Sequence, residues 1–192
     1  MMAYVIYHNE RFLIDAKDPE WPHIETFKWW LLPHGLAGAC ALILGPMQFS
    51  ERIRQRFLRL HKTVGWIYVV SALITGPVGA YIQYFEERLG TTRSFSIATA
   101  VDATILFSTT ALGLYFVLRG QIESHRQWMT RSYAIAIVFL QVRVVSGLGG
   151  WDGDEKATET IVWSCVALSL LVGDLVLQWQ ASRRARPARA AA

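Results

Sequence analysis

Two histidines stand in a repeated sequence context, and a pair of imidazoles is the usual ligand set of a low-spin b-type haem. His61 and His125 are each followed by a base, then by a tryptophan within five residues and a tyrosine seven or eight residues on. The neighbouring bases, Lys62 and Arg126, have the charge needed to hold haem propionates. We also expect Asp174 at a similar depth. The alternative is that both histidines lie at the membrane interface and contact lipid phosphates.

A second set of polar residues lies inside otherwise apolar stretches. A charged side chain in mid-membrane costs roughly 2.5–3.5 kcal/mol on insertion scales, so such a residue usually has a partner or a function. Counting residues along each stretch predicts that His34, Asp102 and Arg143 share one depth, with Tyr81 and Gln83 nearby. We expect an Asp102–Arg143 ion pair bridged by His34. This polar intramembrane cluster either fixes helix register or binds a quinone headgroup, a substrate or a proton.

Other chemistries find little support in the sequence. Cys40 and Cys165 fall inside apolar stretches, so both are expected to be buried thiols rather than disulfide or metal ligands. The chain contains no Gly-x-Ser-x-Gly, no phosphate-binding Walker loop and no Cys-x-x-Cys pair. These patterns argue against hydrolase, kinase and structural-zinc functions.

The elements that must position these residues are long apolar segments. Hydrophobic residues make up 53% of the 192 residues, and the charged residues cluster between the apolar runs. About 20 apolar residues cross the hydrocarbon core as a helix, because the backbone must satisfy its own hydrogen bonds in lipid. The stretches that meet this length are 27–49, 64–85, 95–118, 129–148 and 161–179. The sequence therefore predicts an all-α integral membrane bundle of five transmembrane helices.

The repeated histidine context organises these helices into two hairpins, with a fifth helix appended. Residues 1–26 are expected to form an extramembrane or interfacial segment without a signal peptide. Residues 27–180 then form the transmembrane domain, and residues 181–192 form a basic tail. Faces of small residues, such as His34, Gly38, Ala41 and Gly45, are expected to allow close helix packing or to receive a flat cofactor.

The distribution of basic residues predicts how the bundle is oriented. Twelve lysines and arginines fall on one side of the bundle, in the 50–62 loop, around the connection between the third and fourth stretches, and in the tail. Six fall on the other side. The positive-inside rule then places the N-terminus outside and the C-terminus inside. We expect a multi-pass protein of the bacterial cytoplasmic (inner) membrane. The basic excess is explained by anionic lipid headgroups, without a nucleic acid.

Three motifs resemble one bacterial family of multi-pass membrane proteins, catalogued as domain of unknown function 2306. They are the runs 45–49 (GPMQF), 61–68 (HKTVGWIY) and 125–134 (HRQWMTRSYA). The likeness covers roughly His34 to Arg143, and the last motif is its most specific part. The family usually has a Leu-Gly-Arg-like step where this chain has Val64-Gly65-Trp66, so a basic residue is missing. The resemblance implies the fold but no agreed activity. The layout is also similar to the four-helix b-type cytochromes.

Three functions of different classes remain open from the sequence. The first is a redox protein that binds b-type haem near His61 and His125 and exchanges electrons with quinone or a partner. The second is a non-catalytic accessory or assembly subunit of a larger membrane complex. The third is a small transporter or proton path centred on His34, Asp102 and Arg143.

Overall fold

A computed structural model describes residues 15, 17, 21–151 and 154–190, so most of the predicted N-terminal segment lies outside the described residues. The described residues form helices joined by short turns. In chain order these are α1 (Trp21–Ile24), α2 (Lys28–Gln48), α3 (Glu51–Arg56), α4 (Leu58–Glu87), α5 (Arg93–Leu118), α6 (Ile122–Ala136), α7 (Val138–Gly149) and α8 (Glu155–Ala190).

Five segments are long and apolar enough to cross a membrane: α2, α4, α5, α6 together with α7, and α8. The predicted all-α, five-span fold class is confirmed, and the chain is a multi-pass membrane protein. Every span except α2 is longer than predicted. Helix α4, for example, has 30 residues and extends roughly 45 Å at 1.5 Å per residue. The hydrocarbon core is only about 30 Å thick, so the helix ends reach the headgroups and water.

The fourth span is interrupted at Ile137, where the sequence predicts a continuous helix. No proline or glycine stands at this position, and the Ile137 N–H still bonds the Tyr133 carbonyl oxygen at 3.3 Å. Helix α7 begins at the next residue. The break therefore loosens the helix locally without ending the membrane crossing.

Consecutive spans pack against one another along the bundle. The closest packing joins α2 to α4, α4 to α5, and α5 to α6, whereas α2 and α6 touch only slightly. Helix α8 packs against α6 and α7 and, to a smaller extent, α5. Helices α4 and α6 thus lie diagonally across a four-span bundle, and the fifth span is appended to its side as predicted.

Small residues lie where the helices approach most closely, and many large apolar residues face outward. A Cβ atom added to Gly76 of α4 would lie 3.3 Å from the Ala103 carbonyl oxygen of α5, so these two backbones are in close approach. Trp29, by contrast, is 77% exposed in the bundle, where lipid covers it. This inversion follows from the solvent, because lipid gives helices no hydrophobic reason to associate and close packing must supply the attraction.

Gly120 sets where the second half of the bundle begins. Its φ of 72° lies in the left-handed region that favours glycine, one residue past the C-cap Arg119 of α5. The chain therefore reverses within three residues, and α6 begins at Ile122. This short turn puts His125 in the first turn of α6.

Candidate functional site

His61 and His125 occupy equivalent positions at one end of the bundle. Each is the fourth residue of its helix, α4 and α6 respectively, as the repeated motif predicts. We call this the basic end and define it by residues 49–57 and 119–121. The two imidazoles lie close enough for a charge on His125 to act on His61, and Arg54 is also within range.

The hydrogen bond of His125 fixes its tautomer. Its Nδ1 lies 2.8 Å from the Gly113 carbonyl oxygen of α5. Because a carbonyl oxygen only accepts, Nδ1 must carry the hydrogen, which leaves Nε2 with a free lone pair. A histidine that binds metal commonly has this arrangement, since the second-shell acceptor orients the ring.

His61 differs from His125 in its surroundings. Its Nδ1 is buried and has no hydrogen-bond partner among the described residues. Gln48, at the end of α2, likewise has a buried Nε2 without a partner. A Cβ added to Gly65, one turn above His61, would lie 3.1 Å from Gln48 Oε1, so the glutamine packs against α4 at this level. Two buried polar atoms at this end of the bundle therefore have no hydrogen-bond partner among the described residues, although buried groups are normally satisfied.

Three buried hydroxyl groups form a hydrogen-bonded chain across the bundle, two helical turns from the histidines. Thr110 donates to the Leu106 carbonyl oxygen at 2.7 Å, so its own oxygen must accept from Ser132, also at 2.7 Å. Ser132 has then used its hydrogen and accepts from Tyr68 at 2.8 Å. Tyr68 and Ser132 each follow their histidine by seven residues. The bond between them therefore holds α4 and α6 in register at one depth.

The direction of this chain predicts an order of mutational effects. Ser132→Ala should destabilise the protein most, because it strands the Tyr68 hydroxyl hydrogen in the core. Thr110→Val should cost less, since a serine in a helix can donate to the backbone carbonyl four residues before it, and Tyr68→Phe least, since it strands no donor. Hydrogen bonds in membrane proteins average about 0.6 kcal/mol and reach roughly 1.7 kcal/mol. Thermal unfolding of the three variants in detergent would measure the order, and a largest loss for Tyr68→Phe would contradict it.

Asp174 belongs to a different contact from the one predicted. Its Oδ1 accepts from Arg131 Nε at 2.9 Å, and Arg131 Nη2 is also 2.9 Å away. This ion pair joins α6 to α8 on a side of the bundle that is partly exposed. Asp174 therefore ties the fifth span to the fourth and is not part of the paired-histidine site.

In the other half of the bundle, His34 and Thr75 tie α2 to α4. His34 Nδ1 donates to the Thr75 carbonyl oxygen at 3.0 Å, and Thr75 Oγ1 donates to the His34 carbonyl oxygen at 2.9 Å. The His34 ring lies over Gly79, where an added Cβ would be 2.7 Å from His34 Cε1. As with His125, the tautomer that donates from Nδ1 leaves Nε2 as an acceptor.

His34 and Asp102 line one cavity of about 110 Å³ between α2, α4, α5 and the fourth span. Asp102 is 5% exposed, and its Oδ1 has no hydrogen-bond partner among the described residues. A neighbouring cavity of about 330 Å³ is lined by His34, Gln83, Glu86 and Arg143, among others. The structure therefore brings His34 and Asp102 together and places Arg143 next to them in a separate space.

The expected Asp102–Arg143 ion pair is not among the ion pairs of the described residues. Arg143 is exposed at the end of the bundle, where its long side chain keeps the charge accessible to water. This is the less costly arrangement, because burying both charges would require desolvating them. Tyr81 is also exposed, and its ring packs against that of Trp30 with 4.9 Å between the ring centroids. Gln83 is buried and donates to Thr91 at 3.4 Å.

Sequence reasoning missed Gln48 and the Tyr68–Ser132–Thr110 chain. Gln48 lies within the GPMQF run, so its place in a motif was the available signal. Tyr68 and Ser132 likewise lie within the 61–68 and 125–134 runs. Thr110 gave no signal, because serine and threonine in a membrane helix usually bond their own backbone. No cluster of three or more His, Cys, Asp or Glu suited to a metal ion occurs in the part of the chain that the structure describes.

Comparison with known proteins identifies the family. The family model described as "Predicted membrane protein (DUF2306)" matches residues 31–177, which include both histidine motifs and every lining residue of both cavities except Phe27. No curated protein and no solved structure matches the chain. The predicted resemblance is thus confirmed over most of the chain, which belongs to the DUF2306 family of predicted membrane proteins.

Proposed function

We propose that the protein is a membrane redox protein that holds a b-type haem between His61 and His125 and exchanges electrons with quinone or a protein partner. The observation that carries the proposal is the pairing of the two imidazoles at one end of diagonal helices. They occupy the same helical position, and His125 has its Nε2 free to bind iron. Two facing imidazoles in a helical bundle are a usual haem ligand set.

The residues around the pair fit the group. Gly113 orients His125 through its carbonyl oxygen. Gln48 has an amide donor without a partner, and its side chain packs over Gly65, in the layer between the histidines and Tyr68. Lys62 is exposed at the basic end, and Arg126 lies 3.7 Å from Glu123 on the rim, where both cations suit propionates. Bound there, a haem supplies reversible one-electron transfer.

The visible spectrum of the purified protein tests this proposal without a functional assay. We expect a Soret band that shifts on reduction with dithionite, in protein made by haem-replete cells. A pyridine haemochrome assay should then give one haem for each chain. A colourless preparation under these conditions would overturn the proposal and leave the accessory-subunit interpretation as the better one.

The orientation proposed for this function puts the basic end in the cytoplasm of a bacterial cell. It is supported by the excess of lysine and arginine at residues 52–62, 119–131 and 183–189. Reporter fusions after Gly90, Glu123 and Ala192 should show Gly90 outside and the other two sites inside. Periplasmic reporter activity from the Ala192 fusion would reverse the orientation.

A further inference from the structure

We propose that His34 and Asp102 form a proton-binding site, in which Asp102 is a neutral carboxylic acid at neutral pH and exchanges its proton through the cavity of Gln83 and Arg143. This site lies in the other half of the bundle from His61 and His125. The proposal therefore stands whether or not the protein binds haem.

The surroundings of Asp102 favour the neutral acid. An ionised carboxylate needs hydrogen-bond donors or a cation when it is removed from water. Asp102 is 5% exposed, its Oδ1 has neither among the described residues, and apolar side chains such as Leu106 and Leu140 line the same cavity. Thr99 does not donate to the carboxyl, because its hydroxyl bonds the Phe95 carbonyl oxygen at 3.0 Å.

The titratable and charged groups facing this site come from several helices. Helix α2 contributes His34 within the cavity itself. In the adjoining cavity, α4 contributes Glu86 and α7 contributes Arg143, while α8 contributes only the uncharged Thr158. Glu86 and Arg143 have charges of opposite sign, and both line the adjoining cavity. Desolvation, rather than a local excess of charge, is therefore what keeps Asp102 neutral.

His34 complements a neutral acid. Its Nδ1 hydrogen is already donated to Thr75, so Nε2 is an acceptor, and the carboxylic acid supplies one donor. The cavity of about 110 Å³ has room for roughly three to four water molecules at about 30 Å³ each. Transfer along such a path moves one proton from the Asp102 carboxyl to His34 Nε2 and leaves a carboxylate and an imidazolium.

The adjoining cavity supplies the route to the surface. The two cavities share His34, Gly79, Thr99 and Phe139 as lining residues, so only one layer separates them. Gly79 lies at this junction without a side chain, and the His34 ring occupies the space above it. Movement of that ring would join the two spaces, and Arg143 and Glu86 line the larger of them.

Infrared spectroscopy of the purified protein tests both parts of the proposal. With aspartate labelled with ¹³C at the side-chain carboxyl, we expect a protonated-acid C=O band at neutral pH that disappears at high pH and shifts in D₂O. Asp102→Asn should remove the band, Asp102→Glu should restore an unlabelled one, and Asp174→Asn, which removes an ion-paired carboxylate, should leave it unchanged. His34→Phe should shift the frequency of the band, because the cavity that the acid faces then lacks the Nε2 acceptor. An unchanged band in this variant would remove His34 from the site.

The infrared results test the protonation of Asp102 and its exchange route separately. The absence of a protonated-acid band at neutral pH in the wild-type protein would mean that Asp102 is ionised and would overturn the site. A band that is present but does not shift after prolonged exposure to D₂O would overturn the exchange route. A band that survives Asp102→Asn would assign the protonated acid to another residue.

Discussion

Replacing His125 with alanine is expected to abolish the haem spectrum, because the substitution removes the ligand whose orientation the bundle fixes most firmly. The Gly113 carbonyl oxygen holds the imidazole from behind at 2.8 Å. Without His125, only His61 would hold the haem. We expect the Soret band per mole of protein to fall at least tenfold, and His61→Ala to do the same. Absorbance spectra normalised to protein concentration measure this effect.

The other half of the bundle offers a matched control. His34→Ala makes the same substitution in a membrane helix and removes a comparable contact, the one to Thr75, but it lies far from the paired histidines. It should leave the spectrum intact. Free imidazole added to the His125→Ala protein should restore part of the low-spin spectrum if the residue is a ligand. Unchanged spectra in both histidine variants would remove them from the haem site.

Gly45→Val is expected to reduce folded yield sharply, since a side chain at this position would overlap the aromatic ring of Tyr133. The ring has little room to move away. Phe49 lies 5.5 Å from it and Tyr68 lies 6.3 Å from it, measured between ring centroids, and its hydroxyl bonds the Leu42 carbonyl oxygen at 3.3 Å. Overpacking of this kind typically costs about 1–3 kcal/mol. Melting temperature and monodisperse yield in detergent would measure the loss.

Gly35 on the same helix provides the control, because a Cβ there would meet no atom within 4 Å. Gly35→Val should leave the melting temperature nearly unchanged. The clash also predicts coupling: Gly45→Ala combined with Tyr133→Ala should cost less than the two single losses together, since removing the ring makes room for the methyl group. Strict additivity would mean that the ring and the glycine do not meet.

The five membrane spans could be predicted from the sequence because lipid cannot hydrogen-bond polar groups and therefore requires long apolar helices. A helix such as α5 must be apolar over its full crossing, so its hydropathy alone locates it between Phe95 and Leu118, close to the observed Arg93–Leu118. The ends of α4 and α8 were harder to predict, since those turns lie beyond the hydrocarbon and follow no hydropathy signal. The break at Ile137 has no sequence signal of the usual kind.

For the residues of the candidate sites, the sequence predicted the depth in the membrane but not which residues contact each other. Counting residues from the ends of the spans puts His34, Asp102 and Arg143 at one level, but it does not give the direction in which each side chain points around its helix. That angle separates Arg143 from Asp102, because it directs one toward an exposed cavity and the other into the interior. The repeat did better for His61 and His125, since two copies of one motif imply one position in each hairpin.

Consecutive packing along the bundle also sets an order of assembly during synthesis. The His34–Thr75 contact joins the first two spans, so it is available as soon as the second has left the translocon. The Tyr68–Ser132 bond joins the second span to the fourth, so it cannot form until the fourth span has been synthesised. Asp102 arrives with the third span, so His34 and Asp102 of the proposed proton site are in place before His125, although their cavity also needs the fourth span. The paired-histidine site is complete only when that span arrives. Any cofactor for that second site is inserted into a nearly finished protein, in which only α8 has still to dock.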